Sequence, residues 1–312
     1  MMFKLSLTVF AITTANAALI NQSFTSKDNQ IEDASNFNGL PPWDVSVIAT
    51  TNFPEWLQVI TGLSEWPGAD PPYIPLEFID FSIVPNYAPR EPGECPINRE
   101  LCSYDCYKCF AYDDICTCEK LSQSFDDGPS IHTLTLLDRL ESKSTFFTLG
   151  VNVVRHPEIY HRIMEEGHLI GSHTWSHKFL PSLSNEEIVA QFQWSIWAMN
   201  ATGNHLPKWY RPPYGAIDDR VRSIARQFNM QAVLWSHDTF DWQIASNLHD
   251  RSKQDVLSDV FNWKGSEVGG IVLEHDVYES TVDAAMGVHE IIGQDQWTMA
   301  QCAYGPDYVE EF

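Results

Sequence analysis

The chain has 312 residues and a formal net charge of −23 at pH 7, with 42 Asp and Glu against 19 Lys and Arg. That balance argues against nucleic acid as a partner, because phosphates are met by Lys and Arg, and it favours solubility instead. With 44% hydrophobic residues, the length suffices for one large domain and an appendage.

Residues 1–17 read as a secretory signal. Lys4 precedes an apolar run over 5–12, and small residues end in Ala15-Asn16-Ala17, an A-x-A cleavage pattern, so the mature chain is expected to begin near Ala18. The run is too short to anchor in a bilayer, no other segment approaches transmembrane length, and the tail 307–312 is acidic. Residues 18–118 then form an irregular extension. Pro41-Pro42, Pro71-Pro72 and Pro75 punctuate it, and Cys95, Cys102, Cys106, Cys109, Cys116 and Cys118 crowd its end. Cys302 completes an odd total of seven. In an exported chain such a cluster is expected to form disulfides, although the Cys106-x-x-Cys109 spacing also suits a zinc knuckle or a redox pair. The triplets Asn21-Gln22-Ser23 and Asn200-Ala201-Thr202 are glycosylation sequons and fit a eukaryotic secretory route.

From 119 onward the texture changes to alternating apolar and amphipathic runs. Strands are expected at 120–125, 145–149, 168–171, 209–210, 231–235 and 270–273, and helices at 133–142, 157–166, 185–201, 218–228 and 282–292. Ser184 followed by Glu187 is a capping-box signal for the longest helix. Strand and helix in alternation imply a parallel sheet, either doubly wound or closed as a barrel.

Polar clusters follow five of these strands. They are Ser124-Phe125-Asp126-Asp127-Gly128-Pro129, His173-Thr174-Trp175-Ser176-His177, Arg211-Pro212-Pro213-Tyr214-Gly215, Asp238-Thr239-Phe240-Asp241-Trp242 and Leu273-Glu274-His275-Asp276. Each has a bland reading: a turn, a chance His pair on a helical turn, a rigid proline connector, a capped turn over a core Trp, a satisfied polar residue. Jointly they supply a metal site, a base, an acid and an oxyanion binder at the strand ends where parallel α/β folds assemble active sites.

In order and in residue type these segments resemble the five motifs of the polysaccharide deacetylase family (carbohydrate esterase family four). Trp66-Pro67-Gly68, 70–75 and the cysteine segment resemble the extension of budding-yeast chitin deacetylases. The resemblance implies a distorted (β/α) barrel over 119–312 carrying a disulfide-stapled extension. It implies Asp127, His173 and His177 as ligands of one divalent ion, zinc or cobalt, with Asp126 as general base and His275 as general acid. Arg211 would orient Asp126, and Asp241 or Asp238 would hold the far nitrogen of His275. The backbone N–H of Tyr214 would stabilise the oxyanion, Trp242 would face a sugar ring and Leu273 would line the acetyl pocket. The implied substrate is chitin, and the protein is expected to be a secreted monomer, released or retained in a cell or spore wall, with the yeast-like resemblance favouring the wall. Acetylated xylan as substrate, or an inactive chitin-binding wall protein, are the rival readings. Ser124 departs from the family's usual Thr, and Cys116 has no counterpart in the yeast-like pattern and is expected to be the unpaired thiol.

Overall fold

The order of short strands and longer helices seen in the sequence becomes one curled sheet with helices packed around it. The structure is a computed structural model that describes residues 49–98, 101–246, 250–266 and 268–312. The signal segment and the Asn21 sequon lie outside the described residues.

Among its described residues the extension is mostly irregular, with α1 at Glu55–Thr61 and a single turn, α2, at Tyr104–Tyr107. Cys95 pairs with Cys106 and Cys102 with Cys109, while Cys118 reaches across 184 residues to Cys302, leaving Cys116 free. The two short bridges staple a segment with little regular structure. The long one ties the start of the sheet to α11 at Met299–Cys302. Because a cross-link over so long a loop removes much unfolded-chain entropy, Cys118→Ser should cost about 2–5 kcal/mol, read as a lower denaturant midpoint.

The sheet contains β1 Leu121–Asp126, β2 Thr145–Thr148, β3 Leu169–Ser172, β5 Trp209–Tyr210, β6 Gln231–Ala232, β7 His237–Asp238 and β8 Gly270–His275; β4 at His205–Pro207 pairs instead with β9 at Tyr308–Glu311. The seven strands are all parallel, in the order β6-β5-β3-β2-β1-β8-β7. Their C-terminal ends therefore share one rim, with Asp126 opposite His275, Ser172 opposite Tyr210 and Asp238 opposite Leu273. The two edge strands, β6 and β7, are successive pieces of one chain segment joined by residues 233–236. Extended chain spans at most about 3.6 Å per residue, so the edges lie within ~18 Å of each other and the sheet must curl. It does so as a half-barrel, the distorted barrel expected from the sequence.

The helices are α3 Thr133–Leu137, α4 Gly150–Arg155, α5 Pro157–Glu165, α6 Asn185–Gly203, α7 Asp219–Gln227, α8 Trp242–Ser246, α9 Lys253–Gly265 and α10 Glu279–Ile292. The capping box of α6 forms as read: the Glu187 N–H donates to Ser184 Oγ at 3.3 Å and the Ser184 N–H to the Glu187 carboxylate at 2.8 Å. Three differences from the sequence reading have physical causes. The expected strand 231–235 splits, because Val233 N–H bonds Tyr210 and Leu234 N–H bonds Ile115, turning the chain toward the other edge. Helix α4 was not expected, since Gly-Val-Asn-Val-Val is a poor helical sequence. Tertiary contact imposes it: a Cβ at Gly150 would sit 2.5 Å from Trp175 and 2.9 Å from the Ser195 Cα, so only glycine admits this approach. Helix α9 was also not expected, although Ser252 and Asp255 give it a full capping box and Val256 and Val260 bury one face. Among the described residues no helix is long and apolar enough to cross a membrane.

Candidate metal centre and active site

The segment that carries His173 and His177 leaves β3 as a turn, not the helical turn the spacing suggested. Thr174 and His177 both take left-handed backbone (φ 70 and 59), which breaks any helix there. The turn is held from α4, whose Gly150 and Val151 N–H groups donate to the carbonyls of Thr174 and Trp175 at 2.9 and 3.0 Å. Asp127 is left-handed too (φ 79), so its side chain departs from the strand path that Asp126 still follows. Asn152 Nδ2 donates to the Asp127 carbonyl at 2.7 Å and fixes that bend.

These two bends bring three groups together. Asp127 Oδ1 lies 3.4 Å from His173 Nε2 and 3.3 Å from His177 Nε2, and one ligand atom from each residue falls within 4.8 Å of the others. His173 Nδ1 donates to the Arg211 carbonyl at 2.8 Å, which leaves the Nε2 lone pair facing Asp127. Asp127 Oδ1 is buried and, among the described residues, accepts no hydrogen bond. A buried carboxylate oxygen beside two imidazole nitrogens is what a divalent cation requires, so the donor set fits one. Burial pushes the His177 imidazole down to about 4, against the opposing pull of Asp127, so it is neutral and able to ligate at neutral pH. Burial works to raise the Asp127 carboxyl, but His177 first, with His173 and His275, holds it below the ordinary carboxylate range.

Beside this cluster lies a buried ion pair. Arg211 is 0% exposed and donates to Asp126 Oδ1 at 2.8 Å and to Ser124 Oγ at 2.9 Å. Ser124 in turn donates to the Val272 carbonyl at 2.8 Å, so its hydroxyl both accepts and donates. Asp126 Oδ2, 3.8 Å from His173 Nε2, faces the ligand cluster.

On the other flank, His275 Nδ1 bonds Asp241 Oδ1 at 2.7 Å, and the His275 N–H donates to Asp241 Oδ2 at 2.8 Å. Burial alone would lower the His275 pKa, yet Asp241, helped by Asp127 and Asp126, raises it well above the ordinary imidazole value. Asp238, the alternative partner, is engaged elsewhere. It accepts from the Phe240 N–H at 2.8 Å and from Trp235 Nε1 at 3.1 Å, and burial pushes its carboxyl up to about 6. It is a turn-forming residue at the C-terminal end of β7. The raised pKa keeps His275 protonated through neutral pH, and that proton is lost only as pH rises past it. Asp241→Asn should therefore move the alkaline limb of the kcat/KM profile toward acid by roughly one to three pH units. An unmoved limb would show that Asp241 does not set this group.

The Tyr214 ring stands edge-on to that of His177 with centroids 4.5 Å apart, and its backbone is left-handed (φ 60). Trp242 is 9% exposed, so little of its surface is open to a sugar, and Leu273 is 1% exposed and packs in the core. Two residues have a part in the site that the sequence reading does not assign. Asn152 bonds the Asp127 carbonyl, and Asp276, held by Thr133 Oγ1 at 2.6 Å, backs Gly128 so closely that a Cβ there would lie 2.3 Å from its carboxylate. Asn152 lies outside any motif-like cluster and gave no signal, whereas Asp276 was visible beside His275.

A family model described as polysaccharide deacetylase matches residues 116–233. Over 84% of its length the chain is 59% identical to chitin deacetylase 2 of Saccharomyces cerevisiae, covering 84% of that protein. The chain belongs to the polysaccharide deacetylase family. A second relative in this family, chitin deacetylase 1 of the same yeast, is 56% identical over 84% of the chain and 87% of its own length. The solved chitin deacetylase of Colletotrichum lindemuthianum superposes with a TM-score of 0.57 at 26% identity, covering 62% of this chain and 92% of that one. As a family member the chain is a deacetylase, hence a hydrolase.

Proposed function

We propose that the protein removes N-acetyl groups from the N-acetylglucosamine units of chitin, giving chitosan and acetate. The observation that carries this is the pair of flanking groups: a carboxylate ion-paired to Arg211 on one side of the ligand cluster, and an imidazole kept protonated by Asp241 on the other. Amide hydrolysis needs both a group to take a proton from water and one to give a proton to the leaving amine.

Asp127, His173 and His177 would hold the ion, with zinc or cobalt suiting the two nitrogens and one oxygen. When bound, such an ion acidifies water and polarises a carbonyl. Asp126, aimed by Arg211, takes the proton of the attacking water as its oxygen bonds to the acetyl carbon. The Tyr214 backbone N–H steadies the negative charge on the carbonyl oxygen. The C–N bond then breaks as His275 gives its proton to the departing nitrogen, and acetate and a free amine remain. Trp242, largely buried, would offer a sugar only an edge, Leu273 would back the acetyl methyl from the core, and Asp238 would border the rim.

Residues 1–17 would direct secretion, 18–118 form the stapled extension and 119–312 the catalytic domain. The disulfides and the sequons at Asn21 and Asn200 support a glycosylated protein outside the cell, and the yeast-like extension supports retention in a cell or spore wall; the protein would act there as a monomer. Acetate release from chitin oligomers, run beside acetylated xylan, tests the substrate. Release from the oligomers is expected, and release from the xylan ester alone would overturn the chitin assignment.

A further inference from the structure

The turn from His173 to His177 has a second support besides α4, and it comes from the extension. Trp175 Nε1 donates to the Gly68 carbonyl at 2.8 Å, and Ser176 Oγ donates to the Ala69 carbonyl at 2.5 Å. Both donors belong to the residues between the two histidines. Gln191 of α6 locks the same point: its Oε1 accepts from the Ser176 N–H at 3.1 Å and its Nε2 donates to Ser176 Oγ at 3.0 Å. Trp66 stacks on Trp175 with centroids 6.1 Å apart and planes 24° from parallel, and Phe53 closes on Trp66 edge-on at 5.1 Å. The extension is anchored further along by Trp194 Nε1 donating to Pro72 O at 2.8 Å and by Gln193, which both donates to and accepts from the Ile74 backbone.

We infer that the extension is a working part of the metal centre, with Gly68 and Ala69 fixing the ligand-bearing turn through the positioning residues Trp175 and Ser176. The inference rests on the reading of Asp127, His173 and His177 as a metal site. Its physical basis is the backbone of the turn. Two non-glycine residues in left-handed conformation persist only where surrounding contacts over-determine them. One of the two is His177 itself, so the direction of its ring depends on whatever holds Ser176 beside it. The family match begins at residue 116, so Phe53, Trp66, Gly68 and Ala69 all lie upstream of it. Contacts that orient ligands in this way commonly govern metal affinity by 10–100-fold.

The test uses the full-length protein, stripped and titrated with zinc against a competing chelator, and separately loaded with cobalt for its visible spectrum. Ser176→Ala and Trp175→Phe, the latter keeping a ring and losing only the donor, should each weaken zinc binding on the order of 10-fold and alter the cobalt bands. Gln193→Leu removes the bonds to the Ile74 backbone in the same interface but away from Trp175 and Ser176, and should leave affinity and spectrum as in the wild type. If Trp175→Phe does not fold, Ser176→Ala alone decides. Wild-type affinity and spectrum in Ser176→Ala would overturn the inference, as would equal weakening by Gln193→Leu. A wild-type protein that takes up no metal would instead refute the metal-site reading, and this inference with it.

Discussion

Asp126→Asn is expected to lower kcat on chitin oligomers by on the order of 10³-fold while the purified protein keeps its full metal content. Asparagine has the shape of aspartate, and its oxygen can still accept from Arg211, which now donates to Asp126 Oδ1 at 2.8 Å. What it cannot do is take a proton from water. Because Asp127, His173 and His177 are untouched, affinity for the ion and KM should change little. The split between a collapsed kcat and an intact metal site identifies a base acting in the transition state. A fall smaller than tenfold would remove Asp126 from that role.

Arg211→Met should destabilise the protein by about 3–5 kcal/mol, because it strands a buried carboxylate without its cation. Asp126 is 3% exposed, and the guanidinium also serves Ser124 Oγ at 2.9 Å. Unfolding should shift down by on the order of 10 °C, with activity lost as Asp126 loses its aim. The double substitution Asp126→Leu with Arg211→Met removes both charges and should recover much of the stability and none of the activity. If the double variant melts as low as the single one, the cost belongs to the packing of Arg211 over the Phe147 ring, 4.3 Å away, and not to the ion pair.

The rim of the sheet was legible in the sequence because a parallel strand puts whatever follows it at one end. Asp126, His173, Arg211, Asp238 and His275 could thus be grouped without knowing strand order. The bends that make the site were not legible. Nothing in Asp126-Asp127 says that the second residue turns left-handed and swings its carboxylate toward two histidines, and nothing in His173 to His177 distinguishes a helical turn from the irregular one observed. In Asp238-Thr239-Phe240-Asp241 either carboxylate could have met His275. The choice falls to Asp241 because Asp238 is occupied by the Phe240 N–H and the Trp235 indole. The extension could be marked as irregular and stapled, yet its contacts with Trp175 and Ser176 join carbonyls to side chains more than a hundred residues apart. Backbone carbonyls carry no sequence signature. Cys116 was singled out because the yeast-like pattern offered it no counterpart, and it is the thiol left free.

Deacetylation of chitin by this protein should depend on an ion held by Asp127, His173 and His177. Its most direct test is product analysis on defined N-acetylglucosamine oligomers with the metal removed by chelation and then restored. The stripped protein should release no acetate, and zinc or cobalt should return the loss of acetyl groups from the oligomers. Undiminished deacetylation after the ion is gone, or a metal-loaded protein that leaves the oligomers intact, would contradict it.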